Sequence, residues 1–302
     1  MKYLVIMTAL ILGLSSCSGL DVLDTLTPSG EMTAHKNISF ADHDRGAMDI
    51  YAPLEPGVMR PIILWLYGGS WSSGEKQGYR FIAEWLTRLG YVVAIPDYRL
   101  YPDVRYPDFL VDNAKALSWL SKSENVKPYQ ANSSCIIVMG HSAGAYNAAM
   151  LSYDKRWRDQ VRVNGHHIKG FVGLAGPYDF YPFDGETTRN VFGHSEPAKL
   201  TQPVHHVGRD DDVPALLLHG FDDETVRPEN AKSLAQKLWD SGAQADLHLL
   251  EDIDHREILT ALSSTLAKEE IRSLVAAFLK RTSERRCNGA VSLPIPQVLQ
   301  GE

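Results

Sequence analysis

The residues best suited to carry out chemistry form a Gly-x-Ser-x-Gly pattern at positions 140–144. The apolar, β-branched run before it, residues 135–138, is typical of a buried strand, and good helix formers follow the pattern. A strand that turns at once into a helix brings its flanks together, so Gly140 and Gly144 leave the necessary space. Ser142 at the apex projects its hydroxyl at the start of a helix, where the helix dipole favours negative charge. Ser142 is therefore a candidate nucleophile for acyl transfer.

A nucleophilic serine needs a base, and the chain carries eleven histidines. We predict that His255 is the base, because it follows the strand predicted over residues 245–250 and so lies at the same sheet edge as Ser142. His219 stands at a strand end and His248 lies within a strand pattern. Both of these histidines are expected to be structural.

The acid that orients the base is expected after the preceding strand, residues 214–218. Two adjacent aspartates, Asp222 and Asp223, follow that strand. Neighbouring side chains point in different directions, so only one of the two can face His255. Either aspartate can instead cap a turn or lie in solvent. The residues alone therefore leave the identity of the acid open.

Donors for a negatively charged oxygen are expected at the end of the first core strand. The sequence Tyr-Gly-Gly-Ser-Trp at residues 67–71 predicts a loop whose backbone can approach a ligand closely. The predicted oxyanion hole consists of the main-chain amides of Gly69, Ser70 and, just after the nucleophile, Ala143. Chemistry of this kind needs no cofactor.

The elements that position these residues alternate along the chain between strand and helix patterns. Two short edge strands are predicted over residues 37–40 and 47–51. Later strand patterns fall over residues 61–67, 91–95, 135–138, 170–174, 214–218 and 245–250, and helical patterns over residues 81–89, 109–120, 143–150, 229–239 and 258–279. This alternation predicts an α/β fold, with a doubly wound, mostly parallel sheet and helices on both faces.

The alternating pattern is that of one domain. Residues 175–213 are too long for an ordinary connection and are predicted to form a short cap-like insertion. The aromatic side chains of this insertion either wall a pocket above the sheet or pack a small subdomain. Residues 282–302, which contain two prolines, are expected to form a loose C-terminal tail.

The N-terminus has the features of an export signal. A short basic start precedes an apolar stretch over residues 4–14, which is too short to span a membrane, and small residues lead to Cys17. Residues 1–16 thus resemble a bacterial lipoprotein signal peptide that leaves a lipidated Cys17, with an ordinary secretory peptide as the alternative. Residues 17–36 are then a tether. We expect lipid anchoring to a membrane of the bacterial cell envelope, the outer membrane in a Gram-negative host.

The composition is that of a globular protein, with 44% of the 302 residues hydrophobic and 22% charged. A net charge of −7 without a basic cluster argues against a nucleic-acid partner. Histidine pairs at residues 166–167 and 205–206 lack the spacing of metal ligands, so no metal site is predicted.

Besides Cys17 there are two cysteines, Cys135 and Cys287. We expect Cys135 to be a small buried hydrophobic residue and no disulfide to join the two.

Serine, aspartate and histidine in this chain order resemble the catalytic triad of the α/β-hydrolase fold. The resemblance spans about residues 37–281 and points to hormone-sensitive-lipase-like and feruloyl-esterase-like (BD-FAE-like) bacterial carboxylesterases. Residues 67–71 are similar to the His-Gly-Gly-Gly motif of those esterases, although Tyr67 and Ser70 depart from it. Residues 97–102 resemble the Asp-Tyr-Arg-Leu-Ala-Pro segment of the same proteins.

The resemblance also assigns the acid, because His-Gly-x-x-Asp-x-x-Val at residues 219–226 matches the family's acid loop and implies Asp223. It implies a serine carboxylesterase with a triad of Ser142, Asp223 and His255, acting on a small-molecule or glycan-linked ester. Alternatives on the same fold are an amidase of the kynurenine-formamidase type and a peptidase. The alternative without catalysis is a silent, lipid-anchored binding protein.

Overall fold

An eight-stranded sheet forms the centre of the computed structural model, which describes residues 19–28, 32–208 and 213–287. The strands lie side by side in the order β1-β2-β4-β3-β5-β6-β7-β8. Their bounds are β1 (Met32–Ser39), β2 (Ala47–Pro53), β3 (Arg60–Leu66), β4 (Val92–Pro96), β5 (Ala131–His141), β6 (Ile168–Leu174), β7 (Ala215–Gly220) and β8 (Ala245–Leu250).

The sheet is mostly parallel. Strands β1 and β2 form an antiparallel hairpin, and β2 joins β4 in an antiparallel pair. From β4 onward every neighbouring pair is parallel. All seven residues of β3 are buried, as expected for a strand covered by helices on both faces. The predicted doubly wound, mostly parallel sheet is confirmed.

Ten α-helices connect or flank these strands in the described part of the chain. They are α1 (Gly19–Leu26), α2 (Arg80–Arg88), α3 (Asp108–Leu120), α4 (Ser123–Val126), α5 (Ala143–Tyr153), α6 (Lys155–Gln160), α7 (Glu186–Phe192), α8 (Glu229–Ser241), α9 (Glu257–Thr260) and α10 (Glu269–Arg286). Within the described residues, no helix combines the length and the apolar character that a membrane span requires.

The single helix predicted over residues 258–279 is wrong, because α9 and α10 are separate helices. Between them, the main chain is held by local bonds instead of a helical ladder: the Leu266 amide donates to Ser263 Oγ at 3.0 Å, and the Lys268 amide donates to the Ala261 carbonyl at 3.2 Å. Serine side chains compete with the helix in this way by bonding the nearby backbone.

The predicted tether over residues 17–36 is wrong where the structure describes it. Helix α1 buries Leu23, and the Asp24 carboxylate accepts a hydrogen bond of 3.2 Å from the Phe81 amide at the start of α2. Arg80 donates to the carbonyl of Thr27 at 3.1 Å, and β1 begins at Met32. The packed domain therefore begins before residue 37. The predicted signal peptide and Cys17 lie outside the described residues.

The predicted loose tail from residue 282 is wrong at its start, because α10 continues to Arg286 with Thr282 and Ser283 buried. A disulfide joins Cys287, just after this helix, to Cys135 in β5, with a Cα–Cα distance of 5.4 Å. Our expectation that these cysteines do not pair is therefore wrong. The packing of α10 across the sheet brings them together, which no local pattern indicates.

Candidate active site

The Gly-x-Ser-x-Gly pattern forms a sharp turn between β5 and α5. Ser142 has φ of 55° and ψ of −125°, a strained conformation for a residue with a side chain. A Cβ atom on Gly140 would overlap the backbone of Gly144, and one on Gly144 would overlap the backbone of Leu66. The Ser142 amide donates to the Leu174 carbonyl of β6 at 2.9 Å. Both glycines are therefore needed for the turn that presents Ser142.

Asp223 and His255 form a close pair at the same edge of the sheet. His255 Nδ1 lies 2.7 Å from Asp223 Oδ2. The other carboxylate oxygen, Oδ1, accepts the amides of Thr225 at 2.9 Å and Val226 at 2.8 Å. Asp222 is exposed, whereas Asp223 is buried. Of the two candidate acids, the structure places Asp223 against the histidine.

The hydrogen bonds around Asp223 favour its ionised form. Burial by itself raises the pKa of the Asp223 carboxyl, but hydrogen bonds from His219, His255 and the Val226 amide lower that pKa below its ordinary value of 3.8. An ionised Asp223 accepts a hydrogen bond from Nδ1–H of His255, so the ring proton stays on Nδ1 and Nε2 keeps a lone pair. His255 is thereby held in the tautomer that a general base requires.

His219, expected to be structural, lies at the end of β7 beneath this pair. Its Nε2 is 2.7 Å from the Val226 carbonyl and 3.3 Å from Asp223 Oδ2. The ring is completely buried. His219 therefore helps to shape the loop that carries Asp223.

The loop after β3 lies directly against Ser142. A Cβ atom at Gly68 would be 3.0 Å from Cβ of Ser142. Gly69 and Ser70 both have positive φ, 120° and 52°. Within the described part of the chain, the main-chain amides of Gly69, Ser70 and Ala143 donate no hydrogen bond. These three amides are thus available to a ligand, and the Ala143 amide is one of the unpaired donors at the start of α5.

A buried polar network that sequence reasoning missed holds this loop in place. The Tyr67 hydroxyl donates to Asp97 Oδ1 at 2.8 Å, and Lys76 binds the same carboxylate through its amide at 2.9 Å and its Nζ at 3.0 Å. The Tyr98 hydroxyl donates to the Tyr67 carbonyl at 2.7 Å. Arg45 donates to the Tyr67 hydroxyl at 2.8 Å. The sequence signals for this network were the departure at Tyr67 from the motif at residues 67–71 and the motif at residues 97–102.

The aromatic insertion packs against the same loop. Trp71 is buried and donates from Nε1 to Asn147 Oδ1 at 3.1 Å. Its ring contacts Phe180 and Phe192 of the insertion at centroid distances of 6.1 and 4.8 Å. Phe192 is fully buried, whereas Tyr181 is 44% exposed. The insertion aromatics were expected either to wall a pocket or to pack a small subdomain. The contacts of Phe180 and Phe192 with Trp71 are packing contacts.

The histidine pairs make structural contacts. His167 Nδ1 lies 2.7 Å from the Ser133 carbonyl, and His206 Nε2 lies 2.8 Å from the Leu200 carbonyl. Among the residues that the structure describes, no group of three or more His, Cys, Asp or Glu side chains is placed to hold a metal ion.

The sheet, its serine turn and the neighbouring Asp–His pair define a protein of the α/β-hydrolase superfamily. Solved structures share the fold: a truncated carbohydrate esterase from gut microbiota has a TM-score of 0.73 at 19% identity, covering 86% of this chain and 100% of that chain. Esterase B from Lactobacillus rhamnosis has a TM-score of 0.75 at 14% identity, covering 94% and 99%.

Within that superfamily, the chain belongs to the BD-FAE family, whose family model matches residues 48–238. It is 25% identical over 247 residues to isoprenylcysteine alpha-carbonyl methylesterase of Arabidopsis thaliana, covering 74% of this chain and 56% of that protein. Esterase LipC of Mycobacterium tuberculosis is 25% identical over 223 residues, covering 67% and 54%. The chain thus spans about half the length of these relatives, both of which are named esterases.

Proposed function

We propose that this protein is a serine carboxylesterase with Ser142 as nucleophile, His255 as general base and Asp223 as the orienting acid. The observation that carries the proposal is the contact between His255 and Asp223 at the edge of the sheet where the strained Ser142 turn lies. A nucleophile, a base and an oriented carboxylate are the parts that acyl transfer requires. Membership of a family with esterase relatives supports the same reaction.

The reaction proceeds in two halves. Ser142 Oγ attacks the ester carbonyl carbon while His255 Nε2 takes its proton, and the tetrahedral intermediate expels the alcohol, which receives that proton. Water then attacks the acyl-enzyme with His255 again as base, and the carboxylic acid and free Ser142 are released. Asp223 stabilises the imidazolium in both halves.

The oxyanion of each tetrahedral intermediate is bound by the amides of Gly69, Ser70 and Ala143. Within the described residues, these amides donate to no backbone acceptor, which leaves them available to the oxyanion. Each such donor contributes about 3 kcal/mol to stabilisation of the transition state. No cofactor enters the reaction.

The substrate is a small-molecule or carbohydrate-linked ester. The similarity in fold to a protein named a carbohydrate esterase and to one named esterase B supports this range. Acetylated and feruloylated xylan fragments, compared with short p-nitrophenyl esters of matched acyl length, separate the two classes. Turnover of the xylan esters at a higher kcat/KM assigns the carbohydrate class.

The test of the activity uses the protein without residues 1–17 and p-nitrophenyl acetate. We expect Ser142→Ala to reduce kcat by at least about 10⁴-fold. Ser264→Ala, at an exposed serine in the loop before α10, is the matched control and is expected to retain activity. A fluorophosphonate probe should label the wild type and not Ser142→Ala. Unchanged turnover in Ser142→Ala would contradict the nucleophile, and an unlabelled wild type would favour the silent binding protein.

We also propose that Cys17 carries lipid and anchors the enzyme to the bacterial envelope. The Cys135–Cys287 disulfide supports an exported location, since disulfides persist in oxidising compartments. Full-length protein expressed in a bacterial host should enter the membrane fraction, and Cys17→Ser should not. Equal distribution of the two proteins would contradict the anchor.

A further inference from the structure

His141, the residue between Gly140 and the proposed nucleophile, makes a contact that the reaction scheme does not use. Its side chain is buried, with 6% of the residue exposed. Its Nε2 lies 2.7 Å from the main-chain carbonyl oxygen of His255, and the two imidazole rings are 4.8 Å apart between centroids, inclined by 45°. The residue just before the proposed nucleophile therefore contacts the proposed base directly.

The hydrogen of this bond lies on His141. A carbonyl oxygen only accepts, so Nε2 of His141 must donate and the ring must carry its proton there. Burial, together with the neighbouring His255, lowers the pKa of His141 to about 3, although the Asp223 carboxylate acts in the opposite direction. His219 also lies near this ring and likewise lowers the pKa of His141. His141 is therefore an uncharged donor at neutral pH.

The bond joins two segments that are far apart in sequence. His255 lies in the loop between β8 and α9. That loop contains a local turn, in which Asp254 Oδ1 accepts hydrogen bonds from the amides of Arg256 at 2.8 Å and Glu257 at 2.7 Å. Asp223 holds the His255 side chain, whereas His141 holds its main chain. The His141 bond ties the position of the base to the turn that carries Ser142.

We propose that His141 is a positioning residue, an uncharged donor that fixes the His255 main chain relative to Ser142 and so sets the distance over which the proton moves. This inference rests on the proposed function. An uncharged ring is required, because a second cation 4.8 Å from His255 would oppose the imidazolium that forms during the reaction. A displacement of about 1 Å at such a site lowers turnover by about 100-fold.

The test compares three substitutions in the protein without residues 1–17, with p-nitrophenyl acetate as substrate. The Gln side chain places an amide NH₂ near the position of Nε2, Asn is too short to reach the carbonyl, and Leu has no donor. We expect His141→Asn and His141→Leu to lower kcat by about 10- to 100-fold with KM nearly unchanged. His141→Gln should restore kcat to within about fivefold of the wild type.

The control is His248→Gln, a half-buried histidine in β8 outside this contact, which should retain wild-type kcat. Circular dichroism checks that each variant is folded, and the Gln–Asn pair keeps the comparison valid if Leu does not fold. Two outcomes would overturn the positioning role: a kcat for His141→Asn equal to that of His141→Gln, or a rise in KM with kcat unchanged. Failure of the proposed function is distinct, since the wild type would then neither turn over the ester nor react with fluorophosphonate.

Discussion

His255 Nδ1 lies 2.7 Å from Asp223 Oδ2, although 32 positions separate the two residues in the chain. The contact follows from the sheet register. Strands β7 and β8 are parallel neighbours in which Gly220 is paired with Leu250, so the loops after them begin at the same level. Asp223 and His255 stand three and five residues beyond those paired ends. Parallel pairing thereby brings the proposed acid and base together.

This contact predicts different outcomes for two adjacent aspartates. Asp223→Asn should lower kcat by about 10⁴-fold, because an amide at this position no longer favours the His255 tautomer that has its lone pair on Nε2. Asp222→Asn, at the exposed neighbour, should have almost no effect. Steady-state hydrolysis of p-nitrophenyl acetate measures both. A large loss in Asp222→Asn together with an active Asp223→Asn would assign the acid to the other residue.

The network beneath the loop after β3, which carries the proposed oxyanion donors Gly69 and Ser70, leads to a second prediction. Asp97→Asn removes the charge that holds Lys76 and weakens the bond from the Tyr67 hydroxyl. We expect kcat to fall by about 10- to 100-fold. This loss is smaller than the combined contribution of the oxyanion donors, because the network only positions them. Asp103→Asn, at an exposed aspartate nearby in sequence, is the control. A rise in KM with kcat unchanged would show that the loop binds substrate without stabilising the transition state.

The disulfide between Cys135 and Cys287 is expected to stabilise the fold without taking part in the reaction. It closes a loop with a sequence separation of 152 residues. Replacing both cysteines with alanine should lower the free energy of unfolding by about 2–5 kcal/mol. Urea titrations with and without dithiothreitol measure this change, and reduction should destabilise only the wild type. Ester hydrolysis at 25 °C should be retained, and its loss in the folded double variant would contradict a purely structural role.

The low pKa of His141 predicts an acid-sensitive stability. The pKa is about 3 in the folded protein, whereas the unfolded chain has the ordinary histidine value of 6.5, so between these values the unfolded chain binds more protons. Stability from this group is therefore lost as the pH falls below about 6.5. His141→Gln should reduce the slope of unfolding free energy against pH by up to about 1.4 kcal/mol per pH unit between about pH 6 and pH 4.5. Urea titrations of both proteins across this pH range measure the slopes, and parallel slopes would contradict a buried, neutral His141.

Much of the fold could be predicted because its signals are local. The buried run before Gly140 and the helix formers after Gly144 specify the strand and helix that flank Ser142, and the same periodicities predicted most of the other core strands. The break between α9 and α10 was missed because Ser263 interrupts an apolar repeat through a side-chain bond to the backbone. Helix α1 was missed because its short apolar face is stabilised by packing against α2.

The sequence by itself determined the serine turn, the chain order of the proposed nucleophile, acid and base, and the alternation of strands and helices, because each depends on neighbouring residues or on chain order. The motif at residues 219–226 implied Asp223 as the acid, but only the tertiary structure shows its contact with His255. The tertiary structure also decided how Asp97 and Lys76 hold the loop after β3, where His141 contacts His255, and that Cys135 pairs with Cys287. These contacts join residues that are distant in the chain. Their geometry depends on sheet register and helix packing, which no local pattern specifies.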